Sequence, residues 1–488
     1  MASPYASSFV FFFLLTSLST SSTRSHHPYI AADVAAPPHP LLLPLTHSLS
    51  HSPQTHPLQL IHSSSLRSAA SFRRRRRRHG RPIPLPLSSG SDYTLSLSFG
   101  SSNASLFMDT GSDLVWLPCS PFQCILCDGK PFFDPSTPPP PRPPSSAPLP
   151  CSAPLCSSAH SSLPLSDLCA AAHCPLELIE TSSCSSSFPC PQLYYAYGDG
   201  SLIANLLRGP VSFSPVSPIS ASKFTFACAH STLAEPLGVA GFGPGPLSLP
   251  SQLAQLSFSY CLVSHSFLPE RLRRPSPLIL GRSPSPKSPF VYTPILPNPK
   301  HPYFYSVSLL SISVGRETIP ASPQLAAVDR NGDGGMVVDS GTTFTMLPAN
   351  THRRLSAEFH RQMARRGFTR AVAAERRTGL WPCYRYRSSR NETRRVPSLA
   401  LHFAGNASVR LPPGNYFLGF ESEGERVGCL MVMSGGDEGV EEVDGGGPAG
   451  TLGNFQQQGM EVVYDIEMGR VGFARRRCDS LWDSVSRG

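Results

Sequence analysis

The sequence lacks the motifs of two large hydrolase classes. It contains no Gly-x-Ser-x-Gly nucleophile turn and no His-Glu-x-x-His zinc helix, so neither of those chemistries is indicated. Long hydrophobic runs are also scarce. After residues 9–15 no segment approaches the roughly 18 apolar residues of a transmembrane helix, and the C-terminal residues lack the hydrophobic stretch of a lipid-anchor signal. We therefore expect a chain without a membrane anchor.

The first residues have the composition of a secretory signal. Residues 9–15 form an unbroken apolar run, and small residues follow as far as residue 25, although no Lys or Arg precedes the run. We predict a signal peptide over residues 1–24 and entry into the secretory pathway.

One short motif occurs twice in the chain. Asp109 follows Phe-Met and precedes Thr-Gly, while Asp339 follows Val-Val and precedes Ser-Gly. Each apolar pair predicts the end of a buried strand, and each Asp-(Thr/Ser)-Gly predicts the turn after it. Two such turns can present two carboxylates to each other across a cleft. An Asp that closes an ordinary turn is an adequate explanation for either copy alone, but not for the pair.

The sequences downstream of the two turns support the pairing. Gly238-Val-Ala-Gly-Phe-Gly follows the first turn by more than a hundred residues, and Gly450-Thr-Leu-Gly-Asn-Phe follows the second at a similar distance. This is a weak internal duplication on the scale of a domain rather than a short repeat.

Facing carboxylates at Asp109 and Asp339 predict acid-base chemistry on a water molecule. They cannot both ionise freely, so they share one proton. One carboxylate can accept a proton from the water while the other hydrogen-bonds the substrate carbonyl, and the roles reverse as the amine leaves. We expect peptide-bond hydrolysis, greatest at acidic pH, without a metal or cofactor. Six neighbours are expected to support the dyad by close backbone approach or hydrogen bonding: Thr110, Gly111, Ser112, Ser340, Gly341 and Thr342.

With these residues the chain resembles the pepsin-like aspartic peptidases, and among them the plant nepenthesin-like branch. The resemblance runs from about residue 91 to residue 482 and includes the phrases Gly241-Phe-Gly-Pro-Gly-Pro and Leu452-Gly-Asn-Phe-Gln-Gln-Gln. It implies that Asp109 and Asp339 are the catalytic dyad. It also implies flap and substrate-binding roles for four residues: Trp116, Tyr197, Gly198 and Asp199. The alternatives are that Tyr197 merely packs a strand and that Trp116 is an ordinary core residue.

The family resemblance implies an all-β, bilobal pepsin-like fold with a central cleft and few short helices. Alternating patterns at residues 93–99 and 303–309 predict strands. Residues 351–366 predict the main helix, because Leu355, Phe359 and Met363 recur every four residues, and a shorter helix is expected within residues 248–256. We expect an N-terminal lobe over residues 91–275, with a cysteine-rich insertion at 119–190, and a C-terminal lobe over residues 290–482.

The positive charge is concentrated before the predicted lobes. The net charge is +9, yet residues 1–82 hold nine Arg and one Asp, and the remainder is nearly balanced. We predict a propeptide over residues 25–82 that neutralises acidic cleft residues and is cleaved near Arg81, after the arginine run at 73–78. A basic arm that binds nucleic acid or membrane, or a solvated disordered segment, are the alternatives. Eight of the 16 His also lie here, and we predict that their protonation loosens the propeptide.

The chain has 14 Cys, of which nine lie between Cys119 and Cys190. Cys124 and Cys127 have zinc-like spacing, but disulfides are the better interpretation in a secreted chain. By the family resemblance Cys383 pairs with Cys429 and Cys261 with Cys478, while the other pairings stay open. Three sequons, at Asn103, Asn391 and Asn406, predict glycan acceptors.

Two functions use this fold in plants. A secreted or vacuolar monomeric endopeptidase, acting on polypeptides and not on nucleic acid, is the first. The second is a non-catalytic binding module that inhibits glycoside hydrolases. Such inhibitors typically lack an intact dyad or flap tyrosine, whereas this chain keeps Asp109, Asp339 and Tyr197, so the site favours catalysis.

Overall fold

A computed structural model describes most of the chain outside its N-terminal leader. The described residues are 40–51, 57–75, 92–127, 142–143, 145–197, 200–213, 220–233, 237–255, 257–268, 272, 274–282, 289–385, 396–422, 424–436 and 447–485. The predicted signal peptide, the predicted cleavage point near Arg81, the flap residues Gly198 and Asp199, and Asn391 lie outside these ranges.

The first half of the chain is built mainly from strands. They are β1 (Leu41–His47), β2 (Tyr93–Phe99), β3 (Ser102–Asp109), β4 (Val115–Ile125), β5 (Ala147–Pro148), β6 (Leu193–Tyr197), β7 (Gly200–Ser212), β8 (Ser220–Leu233), β9 (Val239–Gly241), β10 (Ser257–Cys261) and β11 (Ser276–Leu280). In β2 the side chains of Leu95, Leu97 and Phe99 are buried while Ser96 is exposed, as the alternating sequence predicts.

The second half continues in the same way. Its strands are β12 (Val291–Pro294), β13 (Ser306–Val307), β14 (Leu309–Val314), β15 (Glu317–Pro320), β16 (Met336–Val338), β17 (Thr345–Leu347), β18 (Cys383–Arg385), β19 (Leu399–Phe403), β20 (Ala407–Arg410), β21 (Phe417–Ser422), β22 (Glu425–Leu430), β23 (Val432–Ser434), β24 (Gly450–Leu452), β25 (Met460–Asp465) and β26 (Arg470–Arg475). The strand predicted at 303–309 is wrong in its first residues, because Tyr303 and Phe304 precede β13 and pack against Val337 instead.

Helices are short, apart from two. They are α1 (Pro57–Arg75), α2 (Pro154–Ala159), α3 (Leu165–Ala171), α4 (Leu176–Glu180), α5 (Leu249–Gln252), α6 (Ala349–Arg365), α7 (Val372–Thr378), α8 (Asn454–Gln457) and α9 (Cys478–Val485), with 3-10 turns at Ser48–His51, Pro323–Leu325 and Pro413–Asn415. The predicted main helix is confirmed as α6, whose Leu355, Phe359 and Met363 are fully buried. No described helix is long and apolar enough to cross a membrane.

The strands form one large sheet and three smaller ones. The large sheet has 14 strands, and the others have five, four and three. Strands β25 and β26, from the end of the chain, join the large sheet beside β10, so it connects the two halves. This mostly-β architecture confirms the predicted fold class.

The N-terminal segment is more ordered than its composition indicates. Strand β1 lies inside the large sheet, antiparallel to both β11 and β2, and its Leu41, Leu43 and Leu45 join the main core. Helix α1 packs on the C-terminal half, where Ile61 and Phe72 enter a second core. Within the described part of the predicted propeptide, the disordered alternative is therefore wrong.

Six disulfides join twelve of the 14 cysteines and leave Cys169 and Cys174 free: Cys119–Cys228, Cys124–Cys127, Cys151–Cys184, Cys156–Cys190, Cys261–Cys478 and Cys383–Cys429. The last two are the pairs that the family resemblance implied. The side chains of Asn103, on β3, and Asn406, in the turn before β20, are exposed.

Candidate active site

The two Asp turns occupy equivalent places in the two halves. Asp109 ends β3, which runs parallel to β9, and Asp339 follows β16, which runs parallel to β24. The apolar-Gly elements noted in the sequence are these partner strands. The weak duplication in the sequence thus corresponds to one structural unit that occurs in both halves: a strand that leads into an Asp turn and a parallel partner strand.

Each aspartate accepts a hydrogen bond from the glycine of its own turn. The backbone N–H of Gly111 donates to Asp109 Oδ1 at 2.8 Å, and that of Gly341 donates to Asp339 Oδ1 at 2.7 Å. Both aspartates are fully buried. The matched bonds hold both carboxyl groups close to their own backbone.

The two turns are joined by crossed hydrogen bonds. Thr110 Oγ1 donates to the Val338 carbonyl at 3.1 Å and accepts from the Ser340 N–H at 2.9 Å. Reciprocally, Ser340 Oγ donates to the Met108 carbonyl and accepts from the Thr110 N–H, both at 3.1 Å. Each hydroxyl therefore bridges to the opposite turn, which brings residues far apart in the sequence into one site.

The outer carboxylate oxygens differ between the halves. Thr342 Oγ1 donates to Asp339 Oδ2 at 2.6 Å. The expected equivalent bond from Ser112 to Asp109 is not found, since the buried Ser112 hydroxyl has no hydrogen-bond partner among the described residues. The two carboxyl groups thus have unequal surroundings, which is the condition for the two members of a dyad to take different roles.

A buried polar network lies beside the crossed turns and was not identified from the sequence. Tyr464 Oη lies 2.9 Å from Tyr260 Oη and 3.3 Å from the Val338 carbonyl. Tyr260 donates to Gln457, whose amide donates to the carbonyls of Asp339 at 3.2 Å and Leu452 at 2.8 Å. The signal in the sequence was the Gln-Gln-Gln phrase, but its tyrosine partners lie on strands β10 and β25.

Glycines in the partner elements allow close approach to the turns. A Cβ atom at Gly241 would lie 2.3 Å from the backbone of Asp113, and one at Gly453 would lie 2.5 Å from the Thr343 carbonyl. Such contacts cannot be relieved by rotating a side chain, because backbone atoms are involved. These positions require glycine.

The flap prediction is only partly covered by the described residues. Strand β6 ends at Tyr197, which pairs with Gly200 at the start of β7, so the backbone forms the expected hairpin. The Tyr197 side chain lies outside the description. Trp116, on β4, is fully buried in a core that also contains Tyr195 of β6.

Metal-ligating residues do not gather at the dyad in the described part of the chain. The two clusters with suitable spacing are in the insertion, namely Cys151, Cys174 and Cys184, and Cys156, His160 and Cys190. Four of these five cysteines are joined in disulfides, which leaves their sulfur atoms poor metal ligands.

Comparison with known proteins agrees with this geometry. Family models described as xylanase inhibitor N-terminal and xylanase inhibitor C-terminal match residues 93–282 and 304–475. A probable aspartyl protease of Arabidopsis thaliana is 53% identical over 91% of this chain and 94% of its own length. Aspartic proteinase nepenthesin-1 of Nepenthes gracilis is 31% identical over 79% of this chain and 78% of its own length.

Solved structures share the fold. The structure named edgp has a TM-score of 0.58 at 18% identity, over 83% of this chain and 97% of that protein. Basic 7S globulin from soybean has a TM-score of 0.54 at 18% identity, over 90% of this chain and 97% of that protein. Together with the sequence relatives, these matches place the chain in the pepsin-like aspartic protease family, in the plant branch that includes the nepenthesins.

Proposed function

We propose that this protein is an aspartic endopeptidase of the secretory pathway that hydrolyses peptide bonds at acidic pH. The observation that carries the proposal is the reciprocal pair of bonds between Thr110 and Ser340, which joins two buried Asp turns. Polypeptides are the substrate class, and the protein acts in the extracellular space or the vacuole.

A water molecule between Asp109 and Asp339 is the nucleophile in this mechanism. The ionised carboxylate accepts its proton while the protonated one hydrogen-bonds the scissile carbonyl, which stabilises the developing negative charge. The second carboxylate then accepts a proton as the first donates to the leaving nitrogen. Because the dyad works with one shared proton, activity requires acidic pH. In this proposal Tyr197, Gly198 and Asp199 close over the substrate, and Trp116 supports them.

The segment 25–82 acts as a propeptide in this proposal. Its described part forms an ion pair between Arg67 and Asp92, with Arg67 Nη2 at 3.2 Å from Asp92 Oδ1. Asp92 Oδ2 also accepts from Thr343 Oγ1 at 2.8 Å, and Thr343 lies four residues after Asp339. Helix α1 is thereby linked to the second catalytic turn through a basic side chain. Cleavage near Arg81 separates this segment from the lobes.

The descriptions of the matching family models favour a second candidate function. Both are described as xylanase inhibitor domains, so a binding module that inhibits a glycoside hydrolase is the competing proposal. An inhibitor does not need a water-activating dyad. The crossed bonds that join the Asp109 and Asp339 turns are the observation that favours the protease.

Cleavage of an acid-denatured protein by the processed chain tests the proposal. We expect cleavage at acidic pH that is blocked by an aspartic-protease transition-state analogue. Asp109→Asn should lower kcat by about 100- to 10,000-fold, the usual contribution of a positioned acid or base. The circular dichroism spectrum of the variant should be the same as that of the wild type. Absence of cleavage by the processed wild type, together with inhibition of a xylanase, would support the binding function instead.

A further inference from the structure

A third buried carboxyl group lies beside the first catalytic turn, and the mechanism above does not use it. Asp113 follows Asp109 by four residues and is 1% exposed. Its Oδ1 accepts the backbone N–H of Gly245 at 2.9 Å. No signal in the sequence indicated Asp113, which is the last residue of Asp-Thr-Gly-Ser-Asp.

The Asp113 carboxyl group explains two glycines of the Gly-Phe-Gly-Pro-Gly phrase. A Cβ atom at Gly243 would lie 2.3 Å from Asp113 Oδ1, and one at Gly245 would lie 1.4 Å from Asp113 Oδ2. Neither position can hold a side chain while the carboxyl group is seated there. The segment 241–245 is therefore shaped around this one acid.

The same segment holds the backbone of the catalytic turn. Phe242 N–H donates to the Asp109 carbonyl at 2.7 Å, and Gly243 N–H donates to the Ser112 carbonyl at 2.8 Å. A movement of the segment away from Asp113 would loosen both bonds. The segment 241–245 thus contacts the Asp113 carboxyl group on one side and holds the backbone of the Asp109 turn on the other.

Among the residues that the structure describes, no basic side chain contributes to the pKa of this carboxyl group. The pKa of Asp113 is raised to about 7, mainly by burial; the Gly245 N–H opposes the rise, and the charge of Asp109 adds to it. The titratable groups facing it are Asp109 on its own turn, Tyr195 on β6 and, across Tyr195, Tyr303. All three are acids, so none of them can neutralise a negative charge.

We propose that Asp113 is a positioning residue that seats the first catalytic turn only while its carboxyl group is protonated, so that the enzyme is switched off as the pH approaches neutrality. The inference rests on the proposed proteolytic function and adds a pH limit that is separate from the shared proton of the dyad. Above neutrality a buried, unpaired charge lies beneath the turn. The segment 241–245 then moves to admit water and releases the backbone of Asp109.

The sign of the effect follows from the two protonation states. The unfolded chain loses this proton near pH 3.8 and the folded chain near pH 7, so the folded state is favoured most at low pH. Between these values its advantage falls, and above pH 7 the loss is complete. A shift of about three pKa units corresponds to about a thousandfold decrease in the folding equilibrium constant.

Asp113→Asn tests the inference, because the amide keeps the shape and stays neutral at every pH. The matched control is Asp167→Asn, which changes an exposed aspartate on α3. Between pH 4 and pH 8 the folding equilibrium constant of the processed protein, measured by denaturant unfolding, should fall about a thousandfold more in wild type and control than in Asp113→Asn. Cleavage activity, normalised to each protein's value at pH 4, should fall more steeply towards pH 7 in wild type and control than in Asp113→Asn, whose remaining decline reports the dyad alone.

Parallel pH curves for wild type and Asp113→Asn would overturn the inference. Should the variant not fold, hydrogen exchange of the wild type measures the same event. The amides of Phe242, Gly243 and Gly245 should lose protection above pH 7, after correction for intrinsic exchange rates, and unchanged protection would contradict the switch. If the wild type cleaves nothing at acidic pH, the proposed function fails, while the unfolding curves still test Asp113.

Discussion

The two hydroxyl side chains that cross between the turns, Thr110 and Ser340, differ by one methyl group yet make the same pair of bonds. Each both donates to a carbonyl and accepts from an N–H of the opposite turn. All four backbone partners are buried at the site, so no water replaces a missing hydroxyl. The crossing depends on the hydroxyl and not on the methyl group.

Thr110→Val should therefore damage the site more than Thr110→Ser. Valine has nearly the same shape but leaves the Ser340 N–H without its partner and the Val338 carbonyl with only the Tyr464 hydroxyl at 3.3 Å, at a cost of about 1–3 kcal/mol in the free energy of unfolding. We also expect a lower kcat, because the Asp109 turn is no longer tied to Asp339. Denaturant unfolding and peptide cleavage measure the two effects, and a Val variant equal to the Ser variant would contradict the bridging role.

At the residue scale the sequence predicted the pairing of Asp109 with Asp339 and a supporting role for Thr110 and Ser340, because the motif is local and repeated. It did not predict Tyr260, Gln457 and Tyr464, which meet only after β10 and β25 pair. Asp113 was missed for the same reason, since its partner Gly245 is 132 residues away. Polar networks of this kind are set by tertiary contacts and leave no local pattern.

Among the elements, strand β1 is one whose position carries a pH dependence. His47 at its end is buried between the rings of Tyr93 and His265, with ring centroids at 4.7 and 4.2 Å. Its Nδ1 accepts the Leu49 N–H at 3.0 Å. Burial, and to a smaller extent the charge of Arg67, lowers the pKa of His47 to about 3.

This lowered pKa predicts that acid loosens β1 from the sheet. A released His47 takes up a proton near pH 6.5, whereas the docked one does not, so the docked strand loses stability as the pH falls below 6.5, and the loss is complete near pH 3. At pH 4.5 the loss is about 3 kcal/mol. In an Asp109→Asn background, which prevents self-cleavage, the β1 amides should exchange faster at pH 4.5 than at pH 7, after intrinsic correction.

His47→Gln should remove most of this acid sensitivity and lower the pH at which the otherwise wild-type protein activates itself. His62→Gln is the matched control, because His62 is exposed on α1 of the same segment. Equal exchange and equal activation pH in His47→Gln and His62→Gln would show that His47 is not the sensor.

The order of β1 and α1 could not be predicted from composition. The run Leu-Leu-Leu-Pro-Leu-Thr-His in β1 becomes a strand only because β11 and β2 flank it, and β11 lies more than 200 residues away. In contrast, α6 shows its own apolar period, and β2 shows its own alternation. Short helices α2–α4 of the insertion also lack a strong local signal and are framed by disulfides of the insertion.

At the scale of the whole molecule, Cys261–Cys478 joins β10 to the C-terminal helix α9 across 217 residues. Cys124–Cys127 spans only three. In the chain-entropy account of disulfide stabilisation, the long loop contributes about 5 kcal/mol and the short one about 2 kcal/mol. Replacing each pair by alanine should therefore destabilise the first variant more than the second.

Denaturant unfolding of the two double-alanine variants measures this difference in the free energy of unfolding. The Cys124–Cys127 variant is the matched control, since it also loses two sulfur atoms from a described disulfide. Equal losses in the two variants would show that loop closure does not govern the contribution of Cys261–Cys478.

The central claim concerns the whole chain: one molecule supplies both halves of its catalytic site. The most direct measurement is the rate of peptide cleavage at acidic pH by processed wild type, by Asp109→Asn, by Asp339→Asn and by an equimolar mixture of the two variants. We predict cleavage by the wild type alone and none above background in either variant or in the mixture, because each molecule carries its own damaged dyad. Activity in either single variant, or its recovery in the mixture, would contradict an intramolecular dyad of Asp109 and Asp339.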